Sequence, residues 1–275
     1  MKKIFACLII IISPFIFCSS CKQKNGAAGD HAANANTYFL NGAIDSAIKE
    51  FQLAIQIDSN NAHAYYGLGC VYNVQGDFQN ALLNFNKAIR CNPKFALAYY
   101  SRASIYETIG EEKNAFNDLK KTVANKKDFF PAVFSLARME YSKGSLKLAD
   151  SGFTDAINLR PDFYLSYSMR GTCEFKMVDI DKAIDDFNNE IKYNPSHTLG
   201  YVNRGVAYGE KKDYRAAIHD MTTAIALDPT WSESYIYRGL FEYKLDEKDT
   251  ACYDFRIAQK MKNPQADAYM KEYCK

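Results

Sequence analysis

The chain has 275 residues, with 34 Lys and Arg against 32 Asp and Glu and a formal net charge of +2. A chain this close to neutrality, with no basic stripe, lacks the electrostatic footprint of a nucleic-acid binder. Loss of Lys2 and Lys3 with an N-terminal signal would bring it to neutrality.

Met1-Lys2-Lys3 is a basic start, Ile4 to Phe17 an apolar run, and Cys18-Ser19-Ser20-Cys21 closes it. The run is too short and too flanked by small residues for a spanning helix, so residues 1–20 are expected to be an export signal. Ser19-Ser20 before Cys21 resembles a bacterial lipobox, with Cys18 standing where Leu is usual. That resemblance implies a lipidated Cys21 as the new N-terminus, holding the chain to a membrane. The CxxC spacing could also suggest redox or metal chemistry, but here it ends a signal instead of opening a folded helix. Lys22 beside the lipidated cysteine favours the outer membrane, facing the periplasm or the cell surface. Residues 21–33 are expected to be the lipidated cysteine and a flexible tether.

Beyond this stretch the chain repeats itself. Alanine recurs at 47, 81, 115, 149, 183, 217 and 251, a constant interval of 34 residues. Ala35, Gly69, Ala103, Ala137, Gly171, Gly205 and Gly239 form a small column in the same phase, and Phe51, Phe85, Leu119, Phe153, Phe187, Met221 and Phe255 a bulky one. One helical hairpin copied along the chain, each copy burying its apolar face on the next, produces such columns. The repeats run 28–61, 62–95, 96–129, 130–163, 164–197, 198–231 and 232–265. Within each, positions 4, 7, 8 and 11 recur at helical spacing, and so do 20, 24 and 27, giving a helix A, a turn and a helix B. Gly42, Gly76, Gly110 and Gly144 at position 15 suit the left-handed end of helix A. A short helix over 266–275 is expected to cap the last hairpin with Tyr269 and Tyr273.

Period and residue types resemble the tetratricopeptide repeat, TPR. The second repeat carries its pattern as Tyr65, Leu68, Gly69, Tyr72, Ala81, Phe85, Ala88 and Pro93; the sixth carries Tyr201, Gly205, Tyr208, Ala217, Met221, Ala224 and Pro229. The resemblance implies an all-α, right-handed superhelical solenoid of seven helix-turn-helix units and a capping helix, one domain over 34–275. It also implies a scaffold that binds a protein or peptide. Departures are Ser59 and Lys127 in place of the closing proline, Glu190 in place of the second small residue, and Pro264 one place late, which predicts a slipped final turn.

Comparing the repeats with one another points to internal ion pairs. Position 7 is Arg102, Arg170, Arg204 and Arg238 in the same four repeats whose position 23 is Asp118, Asp186, Asp220 and Asp254. The other three repeats lack both. Either charge alone at a packed position would be costly, so each Arg is expected to meet the Asp of its own hairpin.

In TPR proteins the concave wall is built from helix A, mainly positions 2, 5, 9, 12 and 13. By that resemblance the candidate peptide-binding groove holds Tyr66, Tyr100 and Phe134 at position 5, with Tyr141, Phe175 and Tyr243 at position 12. These rings supply contact area at small entropy cost. Arg138 is the one cation at position 9, and position 5 has no lysine, so a clamp on a terminal carboxylate is not expected.

Catalysis finds no support. His31, His63, His197 and His219 fall at unrelated repeat positions without metal-ligand spacing. No phosphate loop and no GxSxG elbow occurs. No cofactor, metal or small-molecule substrate is expected. Cys70, Cys91, Cys173, Cys252 and Cys274 admit two readings: small helix-packing residues, or a Cys252–Cys274 bridge pinning the last helix. The sequence thus describes an envelope-tethered scaffold with a peptide in its concave groove, or an assembly subunit of an outer-membrane complex acting through its convex face or ends.

Overall fold

A computed structural model describes residues 26–274. The expected export signal, Cys21 and the start of the expected tether lie outside the described residues. Fifteen α-helices and no strand occur among the described residues. Helix A of the successive repeats is α1 (Ala27–Leu40), α3 (Ala62–Gln75), α5 (Ala96–Thr108), α7 (Phe130–Ser142), α9 (Tyr164–Lys176), α11 (Thr198–Glu210) and α13 (Ser232–Lys244). Helix B is α2 (Ile44–Ile57), α4 (Phe78–Cys91), α6 (Glu112–Asn125), α8 (Leu146–Leu159), α10 (Ile180–Tyr193), α12 (Tyr214–Leu227) and α14 (Lys248–Lys260), and α15 (Ala266–Tyr273) follows. From the second repeat onward every helix A opens on the first residue of its repeat.

One correction falls at the start. Residues 27–33, expected as tether, are the first two turns of α1. The cause is local: four alanines in that stretch favour helix, and Ala28 is buried with Ala35 on its inner face.

The helices group into two compact units divided between Val133 and Phe134, within α7. In the first, Ala47, Phe51 and Ala54 of α2 pack with Ala35 of α1 and with Ala64, Leu68 and Val71 of α3. In the second, Ala149 and Phe153 of α8 meet Ala137 of α7 and Cys173 of α9. Helix B is thus shared between its own helix A and the next. The bulky column is at most 2% exposed in every repeat, which makes it the spine of the core. Small residues opposite are required sterically: a Cβ on Gly69 would stand 2.6 Å from Phe85, and one on Gly239 2.7 Å from Phe255.

The turn between helices A and B is left-handed at position 15 throughout. Gly42, Gly76, Gly110 and Gly144 take φ of 76–80°, but the last three repeats place Val178, Lys212 and Asp246 there at 66°, 62° and 65°. A β-branched residue is strained in that region, and Val178 is 79% exposed, so no packing repays it. Val178→Gly should therefore stabilise the fifth repeat by about 0.5–1 kcal/mol, net of glycine's larger unfolded-state entropy. An unchanged urea midpoint would count against strain at this turn.

At the C-terminal end α14 stops at Lys260, one residue short of the other B helices, and Lys262 turns left-handed at φ 61°. That is the slipped final turn expected from the late Pro264. Tyr269 and Tyr273 of α15 lie on Phe255, with ring centroids 5.5 and 6.0 Å away. Of the two cysteine readings, Cys252 and Cys274 are bridged across Cα atoms 5.6 Å apart, while Cys70 and Cys173 are buried among the helices. The bridge closes a loop with a sequence separation of 22. Its reduction should weaken the α14–α15 end by about 3 kcal/mol through loop-closure entropy. Hydrogen exchange of the α15 amides with and without reductant measures this; equal protection would show that side-chain packing alone holds the cap.

Candidate binding wall and its charged supports

The four arginines reach their aspartates as two-pronged pairs. Arg102 Nε and Nη2 donate to Asp118 Oδ2 and Oδ1, both at 2.7 Å. Arg170 meets Asp186 at 2.7 Å twice, Arg204 meets Asp220 at 2.8 and 2.7 Å, and Arg238 meets Asp254 at 2.6 and 2.8 Å. All four aspartates are buried. Each guanidinium has a third contact: Nη1 donates to Asn86, Thr154, Asn188 or Thr222 on helix B of the preceding repeat. The pair therefore closes its own hairpin and ties it to its neighbour. Sequence reasoning missed these acceptors although a signal exists: position 25 is Asn or Thr only in the repeats that precede an arginine repeat.

Position 11 is tyrosine in four repeats and glutamate in three; of these Glu140 is half-buried, while Glu174 and Glu242 turn inward and are buried. Each of the buried two leaves its Oε2 without a hydrogen-bond partner. Burial, with Asp186 and Asp150 close by, pushes the Glu174 carboxyl up to about 7 against the pull of Arg170. Burial and Asp254 raise Glu242 likewise to about 7, with Arg238 opposing. Burial also raises Glu190, fully enclosed, although His197 Nδ1 lies 2.6 Å from its Oε1. Room for that carboxylate comes from Gly200, where a Cβ would stand 3.1 Å from Glu190 Cδ.

The rings expected on the wall divide by role. Tyr66 packs on Phe95 and Phe85 at 5.0 and 5.8 Å, and Tyr100 meets Phe129 edge-on at 5.0 Å. In the second unit Phe134 packs on Phe163 at 5.3 Å and Phe153 at 5.7 Å. Position 5 thus wedges against the aromatic at position 34 of its own repeat and is half-buried. Tyr141 lies under the ammonium of Lys176, 4.6 Å from its centroid. Tyr243 faces Tyr273 of the cap at 4.5 Å, so that ring face is covered by the chain itself. Arg138 is exposed on α7.

Phe175 lies elsewhere, in the lining of a cavity of about 280 Å³ formed by α9, α11 and α13 of the second unit. Thr172, Leu199, Val202, Asn203, Val206, Glu233 and Tyr237 come from helix A positions 2, 5, 6 and 9, while Trp231 and Phe187 close the floor. Among these only Phe175 was a sequence candidate for the groove; the others mix aliphatic, polar and aromatic side chains, and no one column of the repeat collects them. Among the described residues no cluster of His, Cys, Asp and Glu could hold a metal ion, and no helix is long and apolar enough to cross a membrane.

Comparison with known proteins bears on the fold. Profiles described as TPR repeat or tetratricopeptide repeat match residues 35–76, 62–95, 84–116 and 200–230. No curated protein matches the sequence. The structure is similar to the crystal structure of YrrB, a TPR protein with an unusual peptide-binding site, at 21% identity and TM-score 0.63, over 67% of this chain and 95% of that one. It is similar to a tetratricopeptide repeat protein from Parabacteroides merdae at 19% identity and TM-score 0.56, over 90% and 99% of the two chains. A third similar structure is the C-terminal part of a TPR protein from Cytophaga hutchinsonii, at 16% identity and TM-score 0.66, over 85% and 95%. Residues 35–116 and 200–230 thus match tetratricopeptide-repeat profiles, and the same two-helix hairpin recurs in seven pairs along the described residues.

Proposed function

We propose that this chain is a non-catalytic scaffold that holds a protein or peptide segment in a concave groove walled by its A helices, tethered to the cell envelope by lipid on Cys21. The observation that carries the reading is the open apolar cavity on helix A positions 2, 5, 6, 9 and 12, the face by which repeats of this kind take peptides. YrrB, similar in fold, is described by its peptide-binding site. The Cys252–Cys274 bridge is at home in an oxidising compartment, as export to the outer membrane requires.

Because Tyr66, Tyr100 and Phe134 are wedged into the core, truncating them would confuse binding with folding. Tyr141→Ala, Phe175→Ala and Arg138→Ala are the cleaner set. Crosslinked partner should fall in each variant while helicity stays; undiminished capture in all three would favour a spacer or assembly subunit acting through its convex face or ends. Cys21→Ser should move the protein from the membrane to the soluble fraction, and its continued sedimentation with membranes would defeat the lipid tether.

A further inference from the structure

The cavity has a specific origin. In the second, third and fourth repeats the position 5 ring fills the space over the position 34 ring: Tyr66 over Phe95, Tyr100 over Phe129, Phe134 over Phe163. The sixth repeat keeps the aromatic at position 34 as Trp231 but has Val202 at position 5. Val202 brings no ring: Trp231 packs against the core group of Val202, Met221 and Ala224, both Val202 and Trp231 line the cavity, and Trp231 has no ring partner among the described residues. The fifth and seventh repeats differ again, with Ser168 and Ile236 at position 5 and His197 and Gln265 at position 34. The unfilled ring site therefore occurs once among the repeats.

We infer that this site takes an aromatic side chain from a bound peptide, which stands where the other repeats place their own ring. The inference rests on the reading of the wall as a binding surface and names what one part of it selects. At about 280 Å³ the cavity falls below the roughly 300–1,000 Å³ of drug-sized pockets and suits one side chain. The Trp231 indole offers an edge-to-face partner. At the rim stand the Asn203 amide, able to bond a peptide backbone, and the exposed Glu233 carboxylate. No cation lines the cavity, so the residue next to the aromatic is a lysine or arginine that meets Glu233, and an acidic neighbour is refused.

Trp231 is the chain's single tryptophan, which makes its fluorescence a reporter of this site alone. The probe is the capped hexapeptide acetyl-Ser-Gly-Phe-Lys-Gly-Ser-amide, titrated into the full chain, with calorimetry in parallel. A saturable change in emission is expected. Replacing the peptide's phenylalanine by alanine should weaken binding about tenfold or more, the scale of burying one large apolar side chain. Replacing its lysine by glutamate should weaken binding several-fold, and Glu233→Lys should reverse that preference. Val202→Phe restores the arrangement of the earlier repeats, so it should keep the fold and abolish the emission change. If Val202→Phe unfolds, the charge reversal at exposed Glu233 decides. Equal binding of the alanine peptide, full binding by Val202→Phe, or no emission change at saturation overturns the inference. In each of those cases the groove reading stands or falls separately, on partner capture by the Tyr141 and Arg138 variants, neither of which lines the cavity.

Discussion

Arg204→Leu is expected to destabilise the sixth hairpin by about 3–5 kcal/mol, the cost of leaving a buried charge without its partner. Asp220 is 1% exposed and both of its oxygens accept from Arg204. Once the guanidinium is gone the carboxylate has neither water nor a cation. Adding Asp220→Leu removes the stranded charge and should recover most of the loss, since an apolar pair of similar size is tolerated where an ion pair is buried. Asn188 needs no such rescue, because it is exposed and water can replace the lost donor. Repeat proteins lose stability locally, so amide exchange in α11 and α12 is the proper readout, with α3 and α4 as internal controls. A double variant no more protected than Arg204→Leu would show that the pair is not what holds the hairpin.

Glu174→Gln combined with Glu242→Gln should stabilise the chain above pH 7, by about 2–3 kcal/mol for each site. Both carboxyls stand at about 7 when folded, raised from 4.5. The sign follows from which state holds the proton. Below pH 4.5 both folded and unfolded chains are protonated and the sites cost nothing. Between 4.5 and 7 the unfolded chain ionises first, so stability is lost as pH rises. Above 7 the folded chain carries two buried, half-satisfied carboxylates and the loss is complete. A neutral amide abolishes this dependence, so wild type and double variant should have similar urea midpoints near pH 4.5 and diverge towards pH 8. Parallel curves across that range would mean that Arg170 and Arg238 already compensate the charges.

Much of the fold is legible in the residues because a repeat exposes its own rules. Seven alanines at one interval mark the place where two helix backbones touch, and every one of them is fully buried. Arg and Asp that come and go together announce a contact, since neither could be retained alone inside. The late Pro264 announces the altered last turn. These are local or strictly periodic signals, visible without coordinates.

The candidate site was legible only in part, for a physical reason. A face is set by periodicity, and the helix A positions of the wall could be listed. Whether a ring on that face is filler or contact depends on what lies beneath it. Tyr66, Tyr100 and Phe134 are wedged on the aromatics at position 34, Tyr243 is covered by α15, and the opening lies instead at Val202, where a ring is missing.

The sequence by itself determined the hairpin, its period, its number and its internal ion pairs, because each depends on residues a constant distance apart. Only the tertiary structure decided which carboxylates are buried, that Cys252 meets Cys274, and where space is left between helices. Burial and empty volume are sums over neighbours from several repeats, and no single column of residues records them.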